Sequence, residues 1–254
     1  MSHPISYSDV IFMHYRLALF ATAVLISCHS SPSHALFNVN ATTIKEGGGY
    51  IESRNRWDED DRASKDGYAA QSLKFDYGLT NYATIELQGF WHDVPGRGYE
   101  YVGTELETKL RLYNPGEYWL DAAIKFGYEL RHDNQKADIA KTKLLVQKDL
   151  KEWFHLVNFN GLKEVGRYTT KDAELTIGWR TKYKYSKYFE PGFEYHGNFG
   201  QLVDQRSLGN QPHRIGPMAY GELAPGVKYQ AGYLIGLTRA AEDGSFKAFL
   251  RYEF

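Results

Sequence analysis

Charged side chains recur at every second position along much of this chain. Glu105, Glu107, Lys109 and Arg111 alternate with Leu106, Leu110 and Leu112. Asp121, Lys125 and Glu129 alternate with Leu120, Ile124 and Tyr128, and Glu86 sits between Ile85 and Leu87. Successive side chains of an extended strand point to opposite faces, so each run gathers its charges on one face and its apolar groups on the other. A face of mixed carboxylate, ammonium and guanidinium groups sorts ions and polar solutes, because charged rings set preference in pores. The residues expected to line such a polar interior and set its selectivity are Glu86, Glu105, Glu107, Lys109, Arg111, Asp121, Lys125, Glu129, Arg180, Lys182, Glu194 and Arg251. Acids and bases balance along these faces, which argues against a pore specialised for a polyanion.

Bond-making chemistry has little support. No Gly-rich phosphate loop, paired CxxC, HExxH or G-x-S-x-G elbow occurs. Asp58-Glu59-Asp60-Asp61 has the oxygen ligands a hard divalent cation takes. Acidic runs usually stay hydrated, so a solvated loop is the favoured reading. His92, His132 and His213 fall in expected loops but lack ligand spacing, and His155 has no recognisable serine nucleophile around it. The expectation is therefore no enzyme, no catalytic residue, no metal and no cofactor.

These faces need strands to carry them. The chain has 254 residues, 43% apolar and 15% aromatic, with a net charge of −1. A mean hydropathy of −0.52 excludes a bundle of membrane helices. The charge balance gives no field for nucleic acid, and a single Cys excludes a disulfide framework. A membrane β-barrel fits, since half of each strand faces a polar interior.

Positive Arg16, the apolar run Leu17 to Ile26 and the small residues Ser33 and Ala35 read as a secretory signal. The expected division is a signal over 1–35, with the start at Met1 or Met13, a periplasmic segment over 36–48, and a barrel over 49–254. Cys28 after Ser27 offers lipidation as the alternative to cleavage after Ala35.

From residue 49 onward the period is two, with no helical stretch. Short connections are expected near 79–81, 114–117, 151–152, 184–187 and 224–226. Long ones are expected near 58–66, 92–98, 132–139, 162–171, 202–213 and 238–244. These separate twelve strands, an even number as an up-and-down transmembrane antiparallel barrel needs. Aromatic residues cluster at both strand ends, as girdles at lipid headgroups do. Three features are irregular: the outer face of the first strand (Ile51, Ser53, Asn55) is polar, Pro217 sits on an outer face, and the facing of strands six and seven reads equally well either way.

The chain ends Phe249-Leu250-Arg251-Tyr252-Glu253-Phe254. A terminal aromatic with alternating apolar residues resembles the assembly signal of bacterial outer-membrane barrels, which implies recognition of Phe254 by the barrel assembly machinery. Tyr77-Gly78-Leu79-Thr80-Asn81-Tyr82 resembles the hairpin of uncharacterised proteobacterial outer-membrane proteins taken to be porin-like transporters, near the group named for the MetA pathway of phenol degradation. The resemblance implies a Gram-negative outer-membrane location, lipid and lipopolysaccharide as surroundings, and passive passage of a small solute. The alternatives are a rim enzyme of lipase or protease type, and a structural or surface-interaction barrel without an open pore.

Overall fold

The computed structural model describes residues 36–94, 98–133, 136–169, 172–203 and 207–254. The expected signal over 1–35, with Met13 and Cys28, lies outside the described residues. Strands follow one another as β1 (Gly49–Glu59), β2 (Ala69–Gly78), β3 (Ala83–Val94), β4 (Gly98–Arg111), β5 (Asp121–Arg131) and β6 (Asp138–Asp149). The second half is β7 (Trp153–Val165), β8 (Glu174–Tyr183), β9 (Glu190–Gln201), β10 (His213–Ala224), β11 (Val227–Gly236) and β12 (Gly244–Glu253). Each strand pairs antiparallel with its neighbours in sequence, and β1 pairs with β12 from Tyr50 opposite Glu253 to Glu59 opposite Gly244. The barrel is closed, as a sheet must be if its apolar face meets lipid, because an unpaired edge there has no water to bond.

Register sets the two faces. Phe75, Leu87 and Leu106 lie side by side on β2, β3 and β4 and are 41%, 50% and 52% exposed. Their sequence neighbours Lys74, Glu86 and Glu107 are 1%, 1% and 4% exposed. Apolar outside and charged inside is the inverse of a water-soluble domain. Tyr82, Tyr118, Trp119, Trp153, Tyr185 and Tyr188 are exposed near the rim where β1 begins and β12 ends, and Tyr99, Tyr101 and Tyr168 near the other.

Several expectations need correction. Connection length does not alternate strictly: β3 and β4 are joined by 95–97 alone, whereas β4 and β5 are joined by 112–120. Both strands of the β3–β4 hairpin run further than the apolar pattern did, and Tyr118 and Trp119 belong to the β4–β5 connection. The polar outer face of β1 is internally satisfied. Asn55 Nδ2 donates to Ser53 Oγ at 3.3 Å, Gln71 Nε2 donates to Asn55 Oδ1 at 3.0 Å, and the Tyr99 hydroxyl donates to Gln71 Oε1. Pro217 faces outward opposite Phe193; toward β11 the ladder passes from Ile215 to Met218 without losing register, and the bulge of β10 falls between Glu222 and Ala224. On β6 and β7 the inward series runs through Lys141, Lys143, Leu145 and Gln147, opposite Leu162, Asn160, Asn158 and Leu156.

The segment 36–48, expected as a periplasmic arm, runs inside the barrel. Gly47 N–H donates to Gly78 O at 2.9 Å at the rim, and the chain then climbs through the interior. Thr42 N–H and hydroxyl reach Gln147 Oε1 at 3.2 and 3.1 Å. Asn40 and Asn158 bond reciprocally, N–H to Oδ1 at 2.6 Å and Nδ2 to O at 2.9 Å. Phe37 packs with Met218, Tyr220 and Leu234, and Leu36 with Tyr68, Ala70 and Phe90. Gly178 makes room for this strap: a β-carbon there would lie 3.1 Å from Val39 Cγ2. The cause is volume, since a barrel wider than eight strands has an interior that wall side chains alone do not fill.

Leu87→Arg places a charge among Phe75 and Leu106 on the lipid face. It is expected to cost about 2–4 kcal/mol and to lower the yield of folded barrel, read as loss of heat-modifiable migration on gels. Wild-type folding yield would refute the facing of β3.

Candidate functional site

The inward faces bring the predicted charges into connected networks. Lys125 Nζ lies between two carboxylates, 2.8 Å from Glu86 Oε2 and 2.7 Å from Glu107 Oε2. Lys74 also pairs with Glu86, and Lys143 reaches Glu107 Oε1 at 2.5 Å. Further along the same strands, Lys141 bridges Glu105 at 2.8 Å and Glu129 at 2.6 Å, and Arg131 pairs with Glu129 at 2.7 Å. Register produces this: Glu86 stands opposite Glu107 on neighbouring strands, and Lys125 opposite Lys143. Like charges face each other across the ladder, so each needs a counter-ion from a flanking strand.

The opposite wall is built around Glu194. Arg180 Nε donates to its Oε1 at 2.8 Å, as does the Tyr220 hydroxyl at 2.8 Å. Its Oε2 meets Lys247 Nζ at 2.6 Å and His196 Nε2 at 2.8 Å. Lys247 Nζ also donates to the Phe37 carbonyl at 2.5 Å, tying the strap to this network. Arg251 reaches Glu52 at 2.7 Å, and Glu52 also holds Arg54 at 2.5 Å. Of the remaining predicted residues, Lys182 pairs with Glu190. Asp121 accepts from Gly116 N–H at 2.7 Å in the β4–β5 turn. Arg111, the last residue of β4, lies 5.0 Å from the Tyr82 ring centroid, and its buried Nε joins none of these networks.

The middle of the barrel is filled. Arg56, Lys74, Lys125, Lys247, Glu52, Glu86 and Glu194 are all less than 2% exposed, as is Val39 of the strap. Below the strap, toward the rim where the termini sit, a cavity of about 540 Å³ remains, lined by Tyr50, Asp76, Lys109, Phe154, Tyr220 and Phe249 among others, with Val39, Asn40 and Ala41 on its strap side.

The remaining sequence candidates separate. Asp58 belongs to β1, faces inward and pairs with Arg56, so the acidic run is not one solvated loop. Asp60, Asp61 and Asp243 have carboxylate oxygens within 4.8 Å of one another. Arg62 already holds Asp60, and its guanidinium also donates to Ala241 O, which clips the β1–β2 connection to the β11–β12 connection. Hydrogen bonds from the Arg62 side chain hold the Asp60 carboxyl down at about 2. His92 lies 3.7 Å from Glu100, His132 against the Tyr101 ring, and His213 against Tyr195, with Nδ1 2.6 Å from the hydroxyl. His155 stacks on Trp153. These histidines do not converge.

Sequence reasoning missed Lys141 and Lys143, because Leu144-Leu145-Val146 allows either facing of β6. It also missed the strap. Its one signal was the polar–apolar run Phe37-Asn38-Val39-Asn40, too short to show a period.

Neither a protein-family profile nor a curated protein sequence matches the chain. Solved structures do match in shape. The KdgM porin, solved in complex with disordered oligogalacturonate, superposes with a TM-score of 0.58 over 81% of this chain and 99% of its own, at 10% identity. The COG4313 outer-membrane channel from Pseudomonas putida F1 gives 0.60 over 88% and 99%, at 12% identity. The NanC porin gives 0.60 over 80% and 98%, at 8% identity. The fold is that of a bacterial outer-membrane porin.

Lys125→Met leaves Glu86 and Glu107 with one cation each. It is expected to destabilise the barrel by about 3 kcal/mol, because each of two buried carboxylates loses a hydrogen bond from a charged donor, worth roughly 1.5–3 kcal/mol. The change should appear as a lower urea midpoint in detergent. An unchanged midpoint would mean that water reaches and screens this network.

Proposed function

We propose that this chain is an outer-membrane channel for passive passage of small solutes, closed in the described state by its own segment 36–48. One observation carries the reading: a closed barrel with an apolar exterior encloses a charged interior that is continuous with a cavity at one mouth. Lipid contact explains the exterior, but only water or a polar solute gives a reason for so charged an interior. The even strand number puts both barrel ends at one rim, and that rim is the periplasmic one in outer-membrane barrels. The resemblance of 77–82 to the proteobacterial group near the MetA pathway fits the same reading. The neighbour solved with oligogalacturonate binds a polyanion; the balanced interior here favours small solutes without strong charge preference. Signal cleavage after Ala35, Gram-negative origin, and recognition of Phe254 by the assembly machinery belong to the proposal, with lipid and lipopolysaccharide around the belt.

The filled middle layer favours one second reading, a structural barrel without a pore. Planar-bilayer recording separates the two. Wild type is expected to show small or rare openings. A chain lacking 36–44 is expected to conduct at least about tenfold more, with weak preference between small anions and cations. Absence of conductance from both forms would sink the channel reading. For orientation, Asn210→Cys in the β9–β10 connection should be labelled by an impermeant thiol reagent on intact cells. Labelling only after permeabilisation would invert the topology.

A further inference from the structure

Most charges in the barrel interior are paired, and two that line the cavity below the strap are not. Asp76 and Lys109 line it, and each is 5% exposed. Neither side chain makes a hydrogen bond or ion pair with a described residue, and Asp76 Oδ2 is buried without a partner. Other charges lining the cavity are engaged: Arg251 with Glu52, Arg180 with Glu194, Lys182 with Glu190, and Lys228 with Glu253 at 2.8 Å. Glu222 accepts from Gly226 N–H at 3.2 Å. Lys45 and Lys187 are exposed at the rim.

An unpaired buried charge is costly, and a fixed pair of opposite sign that does not touch is costly twice. Register explains the gap. Asp76 on β2 stands opposite Glu86, Glu86 opposite Glu107, and Lys109 is the next inward residue of β4 beyond Glu107. One strand thus separates the two groups on a single inward face. Lys125, which pulls Glu86 and Glu107 into its own network, leaves neither available to Lys109.

We propose that Asp76 and Lys109 form a binding site for a small zwitterion carrying a primary ammonium and a carboxylate, of the size of an amino acid or dipeptide. The ligand ammonium donates to Asp76 and its carboxylate accepts from Lys109, so one molecule neutralises both buried charges. A simple anion would satisfy Lys109 and leave Asp76 unpaired, and a simple amine would do the reverse. Apolar side chains also line the cavity, among them Ile44, Leu156 and Phe249, and receive an aliphatic substituent. About 540 Å³ is ample for such a molecule. This site deepens the channel reading by naming a solute class, and rests on it for direction, but binding itself needs no conduction.

Equilibrium dialysis of refolded full-length barrel against labelled L-alanine and L-alanyl-L-alanine tests it, with propionate and ethylamine as single-charge probes. Saturable binding of at least one zwitterion is expected, with propionate and ethylamine at least about tenfold weaker. Asp76→Asn should weaken the zwitterion about tenfold or more while leaving propionate unchanged. Lys109→Gln should weaken both, and Lys109→Arg, which keeps the charge if the glutamine variant fails to fold, should retain zwitterion binding. Asp121→Asn at the turn should change nothing. No saturable binding by wild type, binding that survives both Asp76→Asn and Lys109→Gln, or propionate binding as tightly as alanine would each overturn the proposal. Conductance without binding would remove this site and leave the channel; binding without conductance would do the opposite.

Discussion

Lys125 between Glu86 and Glu107 shows the constraint on which the interior depends. Three charges share a space from which water is excluded, and each is tolerable only because the others are there. The same requirement holds around Glu194, where a lysine, an arginine, a histidine and a tyrosine converge on one carboxylate. Balance between acids and bases is therefore a consequence of packing. A barrel that kept a wide water column could carry an excess of one sign; one filled to its middle layer cannot.

The strap obeys that rule by being neutral where it crosses the interior. Asn38, Asn40 and Thr42 offer donors and acceptors without charge, and Phe37 and Val39 fill volume. Arg56 and Arg214 lie 4.2 and 4.5 Å from the centroid of the Phe37 ring, so a ring face serves two guanidinium groups that are otherwise held by Asp58 and Glu242. The strap thus occupies the interior without disturbing the ion pairs on the walls. The strap is nonetheless tied to the wall, through the Phe37 carbonyl that accepts from Lys247 and through Asn158 and Gln147.

Most of the wall was legible in the sequence because strand alternation is a local code. Ile85, Leu87 and Trp91 against Glu86 and Gln88 fix β3 without reference to any partner. Legibility ended where local pattern and geometry part. Leu144-Leu145-Val146 allows two facings, and only the register with β5 and β7 selects the one that turns Lys141 and Lys143 inward. The connections misled for a related reason: polar residues at 92–98 and apolar ones at 118–120 describe solvent contact, whereas strand length follows hydrogen-bond pairing beyond the membrane. The identity of the charged residues was readable one by one, but their pairing was not. Which carboxylate receives Lys125 depends on strands far apart in the chain.

Closure of the ring has a consequence in time. The strap occupies the interior, and the first strand bonds to the last, with Tyr50 opposite Glu253. A chain made and exported amino end first presents its filling before the wall exists. The final seam between β1 and β12 must zip around a segment already lying in place, or the segment must thread an enclosed tube afterwards. The first route begins when Asn40 and Thr42 find Asn158 and Gln147 while the sheet is still open. Contacts over more than a hundred residues then form before the seam does, and the ring is completed only when the first and last strands join.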